Sequence, residues 1–181
     1  MKPNERYPQD INAAVARWKK GAAEGDPEAQ NNLGVAYYSG KGVERDIDKA
    51  TDLWLQAAKQ GDADAAANLG RILDLADKCE EAVAFYRMAA DKGHSRAQNN
   101  LGVMYATGRG VRQSYATARD WYLKAAKHGD VYAQFSLGMM CATGEGGPLD
   151  EREAERWWSE AARQGHPDAK SNLEKLRRRD R

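Results

Sequence analysis

Cysteine is almost missing from this 181-residue chain: Cys79 and Cys141 are the only two, in unrelated contexts. That excludes a disulfide framework and a paired thiolate metal site, and both residues are expected to be reduced thiols filling small gaps in the interior. Long apolar runs are missing as well, so no segment reads as a membrane span. Neither sign of charge dominates, with 28 Lys and Arg against 27 Asp and Glu. Without a global positive field, neither nucleic acid nor an anionic membrane is expected as a partner. The opening MKPNERYPQD places prolines and acidic residues where a secretory leader needs a basic start and an apolar stretch. A cytoplasmic location is the expectation.

Signatures of chemistry are equally scarce. GxSxG, HExxH and coupled Cys/His arrangements do not occur, and the carboxylates fall on solvated helix faces or caps. The three histidines, His94, His128 and His166, stand one or two repeat lengths apart, whereas metal ligands on one helix would stand at i, i+4. The GKG, GRG and GEGG stretches fit neither GxxxxGK[ST] nor a GxGxxG that follows a strand. No catalytic residue, metal site or cofactor is therefore expected, and the chain is not expected to be an enzyme. The basic end, LRRRDR, suits a solvated helix C-terminus better than a nucleic-acid tail.

What is present is repetition. AQNNLGVAYYSGKGV at residues 29–43 returns as AQNNLGVMYATGRGV at 97–111, identical at eleven of fifteen positions. Anchored on its first alanine, the unit recurs at Ala29, Ala65, Ala97, Ala133 and Ala169, at spacings of 36, 32, 36 and 36. Leu follows each anchor by four residues, and Gly follows that Leu in the first four copies. Trp54, Tyr86, Tyr122 and Trp158 each precede an Ala-Ala pair, and Gly25, Gly61, Gly93, Gly129 and Gly165 stand four residues before the anchors.

Ala29, Leu33 and Tyr37 fall at i, i+4, i+8, and Ala50, Trp54, Ala57 and Ala58 at i, i+4, i+7, i+8, which is one apolar stripe for each of two helices per unit. Glycine ends the second helix in the left-handed conformation. Asp26, and His166 in the same place, cap the next one, with proline at its first turn. Asp46, Ser114 and Asp150 cap the second helices. Two-helix units bury both faces only by stacking, so the fold is expected to be all-α, an α-solenoid of four full units with a half-unit helix at each end, wound as a right-handed superhelix. The expected boundaries are a flexible 1–10, a cap helix over 11–28, units at 29–64, 65–96, 97–132 and 133–168, and a cap helix with a basic tail, including water-facing Arg177, Arg178 and Arg179, over 169–181.

The unit A-x-x-x-L-G-x-x-Y-x-x-G-x-G-V, then D-x-x-K-A-x-x-x-W-x-x-A-A-x-x-G, resembles the Sel-one-like repeat, a longer-looped relative of the tetratricopeptide repeat. The resemblance covers residues 11–176. It implies a helical scaffold that binds a protein or peptide partner, as an adaptor or regulator, without catalysis. The second unit departs from it: LGRILDLADKCEEA lacks the GxGV turn, is four residues shorter, and is expected to bend the stack locally. A secreted, cysteine-rich branch of the family staples each repeat with a disulfide, and the absence of such pairs here argues against an extracytoplasmic role.

Residues that follow the anchor by two, six and nine positions point away from the packing stripe of the first helix, at about 200° from the anchor for the first of them. They are Asn31, Val35 and Tyr38; then Ala67, Arg71 and Asp74; then Asn99, Val103 and Ala106; and in the fourth unit Phe135, Met139 and Ala142, with Tyr132 one turn earlier. By resemblance to tetratricopeptide arrays, first helices line the concave side, so these water-facing positions form a candidate groove for a peptide or a helical surface. Tyr132, Phe135 and Met139 either pack on the next helix or accept a partner. Two roles suit such a groove: an adaptor, or an inhibitor of immunity type that covers the active site of one toxin or enzyme.

Overall fold

The computed structural model describes residues 10–179, without the side chains of residues 177 and 179. Among them are ten α-helices and no strand: α1 (Ile11–Ala23), α2 (Pro27–Ser39), α3 (Ile47–Lys59), α4 (Ala63–Leu75), α5 (Cys79–Asp91), α6 (Ser95–Thr107), α7 (Tyr115–Lys127), α8 (Val131–Thr143), α9 (Glu151–Arg163) and α10 (Pro167–Arg179). Each packs on its neighbours in the sequence, and α4, α6 and α8 also touch in series, which is the all-α solenoid expected from the repeat. The flexible segment expected at 1–10 falls on residues 1–9, outside the described residues, as do the side chains of Arg177 and Arg179; Arg178 is exposed. Asp10 is itself ordered as the N-cap of α1, its carboxylate accepting from the backbone N–H groups of Asn12 and Ala13.

The central contact of each hairpin is an aromatic ring laid on a bare stretch of helix. A Cβ built on Gly34 would stand 2.6 Å from Trp54; Gly70 with Tyr86, Gly102 with Tyr122 and Gly138 with Trp158 give the same distance. Real side chains do not tolerate such an approach, so glycine at this place admits the ring. The rings are buried, from 1 % exposure at Trp54 and Tyr86 to 5 % at Tyr122 and Trp158. Their polar atoms then take one of two routes. Trp54 Nε1 donates to the Asn31 carbonyl at 3.2 Å and Trp158 Nε1 to the Phe135 carbonyl at 3.3 Å, within the same hairpin. The Tyr86 hydroxyl instead meets Asn100, and that of Tyr122 meets Ser136, both on the first helix of the next hairpin.

Helix ends follow the expected chemistry with one exception. Gly25, Gly61, Gly93, Gly129 and Gly165 all have positive φ and stop the second helices. Asp26, Asp62 and Asp130 cap first helices through their carboxylates, and His94 does so through Nδ1, which accepts from Ala97 N at 3.1 Å. His166 does not repeat this. Its Nδ1 has no hydrogen-bond partner, and its ring stacks on Phe135 with centroids 4.2 Å apart.

The glycine-rich turns stack on the preceding hairpin. Gly110 lies against the backbone of Cys79 at the start of α5, Gly146 against Tyr115 at the start of α7, and Gly42 against Ile11. In the short second unit no such turn exists. Asp77, the only described non-glycine residue with positive φ, makes the link, and Lys78 caps α5 without a side-chain hydrogen bond. Asp74 and Asp77 hold Arg109 of the following turn at 2.9 and 3.7 Å.

Both cysteines are free, and burial pushes the buried Cys141 thiol up to about 11, despite Arg119 at 3.3 Å.

Two outcomes test this packing. Gly102→Ala should lower the unfolding free energy by about 1–3 kcal/mol, the range for forcing atoms into a filled core, and Trp54→Ala by about 3–5 kcal/mol; urea titration followed by circular dichroism measures both. Burial also pushes the Tyr86 and Tyr122 phenols up to about 12. The unfolded chain, with phenols near 10, loses these protons first, so their contribution is complete below pH 10. It falls as pH rises from 10 through 12, by about 2–3 kcal/mol per tyrosine. The Tyr86→Phe/Tyr122→Phe variant should show a flatter alkaline decline.

Candidate functional site

Helices α2, α4, α6 and α8, the first helices of the four hairpins, line a concavity of about 1050 Å3. Asn31, Asn32 and Val35 come from α2, Ala67, Asn68 and Arg71 from α4, Asn100 from α6 and Tyr132 from α8, with Trp18 of α1 at the other end of the series. The start of each first helix contributes acidic and polar groups, among them Glu28, Asp64 and Asp130.

The structure brings some of the sequence-derived candidates together. Arg71 Nη1 donates to the Tyr38 hydroxyl at 3.2 Å, and its guanidinium carbon lies 4.8 Å from the centre of that ring, a cation–π geometry. Hydrogen bonding to Arg71 and its positive charge lower the Tyr38 phenol below its ordinary value. Tyr38 also leans on Trp54, with centroids 5.7 Å apart, which ties this pair to the core. Val35 lines the concavity beside them. Asn31 is not water-facing: it is 8 % exposed, and its Oδ1 accepts from Asn68 Nδ2 at 3.1 Å. On the inner side of the array neighbouring first helices meet, and a residue two positions after the anchor falls between them.

Other candidates go elsewhere. Asp74 is drawn to Arg109 at 2.9 Å, at the turn end of α4, and does not line the concavity. Asn99 and Val103 do not line it either. The Oδ1 of Asn99 is buried without a hydrogen-bond partner. The residue 37 positions on, Asn68 for Asn31, is Ser136 for Asn99, and Ser136 is engaged with Tyr122. Val103 is 39 % exposed. Tyr132 and Phe135 both lie against the His166 ring, Tyr132 edge-on with centroids 5.8 Å apart, and Met139 stands apart from them. Tyr132 is 65 % exposed and lines the groove, Phe135 lies half-buried under the His166 ring, and Met139 borders a second hollow of about 220 Å3 beside Asn172 and Leu176.

Two sets of residues escaped the sequence reading. Asn32, Asn68 and Asn100, three positions after the anchor, put one amide from each of the first three units on the groove wall. Their recurrence at the repeat spacing was the available signal, but the angle from the anchor assigns that position to the edge of the packing stripe. Gln30, Gln98 and Gln134 are 3–4 % exposed and join the end of the second helix in the same hairpin: Gln60 Nε2 donates to Gln30 at 2.9 Å, Gln164 Nε2 to Gln134 at 2.8 Å, and His128 Nδ1 meets Gln98 at 3.2 Å. An Ala-Gln pair followed 30 residues later by Gln or His was legible, though it belongs to packing.

The Sel1 repeat model matches residues 27–62, 63–94, 95–130 and 131–166. Among solved structures, the chain is similar to a protective antigen present in uropathogenic Escherichia coli strains and displaying an SLR fold, at 34% identity and a TM-score of 0.86, over 92% of this chain and 36% of that one. It is equally similar to a Sel1 repeat protein from Oxalobacter formigenes, at 36% identity and a TM-score of 0.86, over 94% of this chain and 50% of that one. This chain thus spans half or less of the length of those two proteins. Helicobacter pylori cysteine rich protein B, at 22% identity and a TM-score of 0.57, over 74% of this chain and 99% of that one, shares the fold. No curated protein matches the chain.

The differing surroundings of Tyr132 and Phe135 predict opposite behaviour. Phe135→Ala should cost about 1–3 kcal/mol of stability by removing a packed ring, whereas Tyr132→Ala, which removes only an edge contact with His166 from a largely exposed ring, should cost less than about 1 kcal/mol. Thermal and urea denaturation of the two variants decide this.

Proposed function

The chain belongs to the Sel1 repeat family, and from that premise we propose that it is a non-enzymatic scaffold whose concave groove holds a segment of a partner protein. Sel1 repeat proteins generally mediate protein–protein interaction. The observation that carries the reading is the concavity of about 1050 Å3, whose wall bears Arg71, Tyr132 and one asparagine amide from each of three successive hairpins. Repeat arrays use such inner surfaces for extended recognition, because each hairpin contributes the same few positions at a fixed spacing.

Titratable groups along the groove support binding over catalysis. His94 faces Asp64 at 3.1 Å, His128 faces Gln98 and Arg71 faces Tyr38, so each has a structural partner and they do not converge on a common point. No helix among the described residues is long and apolar enough to cross a membrane. A cytoplasmic scaffold is the form of the proposal.

Site-specific photo-cross-linking in the native cell tests it. A photoreactive residue at Asn68, on the groove wall, should give a discrete protein adduct, and one at Asp52, exposed on α3, should give none. Equal labelling at both places, or none at Asn68, would overturn the groove as the binding face.

A further inference from the structure

We propose that the groove takes an extended segment of its partner, and that Arg71 binds the carboxylate of a single Asp or Glu inside that segment. This rests on the groove being the partner-binding face.

Arg71 is half-buried, and no carboxylate lies within ion-pair distance of it among the described residues. Its hydrogen-bond partner is the Tyr38 hydroxyl, an acceptor for one of five guanidinium N–H groups. Arg119, also half-buried, meets Glu153 at 3.2 Å, whereas Arg87, which donates to the Tyr105 hydroxyl without a carboxylate, is exposed and keeps its charge in water. A partly desolvated guanidinium without a counter-ion is costly unless a ligand supplies one, and a carboxylate matches its planar fork. Stacking on Tyr38, itself fixed against Trp54, holds the guanidinium in place beforehand.

The amides decide the conformation of the occupant. The Asn32 side-chain amide makes no hydrogen bond among the described residues, and Asn68 uses its Nδ2 on Asn31 but keeps its Oδ1. Side-chain amides offer a donor and an acceptor, the complement of a peptide group. An extended segment has free peptide groups to pair with them, whereas a helix has bonded its own and docks through an apolar face. Beside Arg71 the wall presents the Asn32 and Asn68 amides, with Val35 and Ala67 as its apolar parts, and no continuous apolar stripe for a helix.

The groove continues past Arg71 in both directions, toward Asn32 and Trp18 on one side and toward Asn100 and Tyr132 on the other. The carboxylate therefore belongs to a side chain within the segment and not to a chain terminus. Along the rim Glu28, Asp64 and Asp130 outnumber Arg96 and disfavour a strongly acidic peptide, which limits the requirement to one acid among uncharged neighbours.

A phage-displayed library of random dodecapeptides, panned on the full chain and on Arg71→Gln and Arg71→Lys, tests this. Wild type should enrich Asp or Glu at one internal position, flanked by uncharged residues. Arg71→Gln should lose that preference and bind the selected synthetic peptide about 10- to 100-fold more weakly, with the helical circular dichroism spectrum of wild type, and Arg71→Lys should retain part of it. Amidating the peptide C-terminus should change nothing, and N-methylating backbone amides beside the acid should weaken binding. Selection of amphipathic helices, of a free C-terminal carboxylate, or of peptides that Arg71→Gln binds equally would overturn the proposal. If selected peptides lack the acid but still compete with cross-linking at Asn68, the carboxylate role fails while the groove reading stands. If no peptide is enriched, or if enriched peptides leave that cross-link unaffected, the extended-segment proposal fails, and the groove itself falls only if Asn68 gives no adduct or is labelled no more than Asp52.

Discussion

An indole or phenol ring needs a flat place to lie, and a helix offers one only where a side chain is missing. Each hairpin supplies that place with a glycine after its leucine, at Gly34, Gly70, Gly102 and Gly138, and each fills it from the second helix. The close approach sets how the two helices of a hairpin sit together, and the small residues around it, such as Ala57 and Ala58 beside Trp54, keep the rest of the contact equally tight. Stacking of hairpins then inherits this geometry. The tyrosine hydroxyls that cross to Asn100 and Ser136, and the glutamines at Gln98 and Gln134 that donate to the carbonyls of Ala90 and Ala126 in the preceding hairpin, join units whose shape is already fixed.

This dependence explains how much of the molecule was legible in its letters. Packing residues recur because every hairpin solves the same problem, so Ala29, Leu33, Trp54 and Gly61 announce helix, stripe and stop together. Positions around the groove obey no such rule. Asn31 was legible as a repeated amide, but not as one covered by its neighbour, because helical angle ignores the next helix in the array. Asp74 followed the angular rule and was nonetheless claimed by Arg109, 35 residues away. His166 shares its place with His94, yet Phe135, found only in the fourth unit, gives its ring a different partner.

The groove therefore has a constant part and a variable part. Asn32, Asn68 and Asn100 repeat, and they suit a ligand feature that also repeats, the peptide group. Arg71 and Tyr132 occur once each and can register one side chain against one place along the array. In a solenoid these two kinds of information are separable, since changing a single letter at one unit leaves the backbone of the others undisturbed.

The short link between α4 and α5 bears on how the chain finds its native order. The first helix and turn of the first unit are nearly repeated in the third, and a chain with similar modules can assemble with one skipped or borrowed from another molecule. The unit between them cannot stand in for either, because it brings no glycine turn to lay on the preceding hairpin and relies on Asp77 in place of glycine. One irregular module among regular ones thus acts as an index mark, making the correct order of assembly the one in which every turn has a helix start to cover.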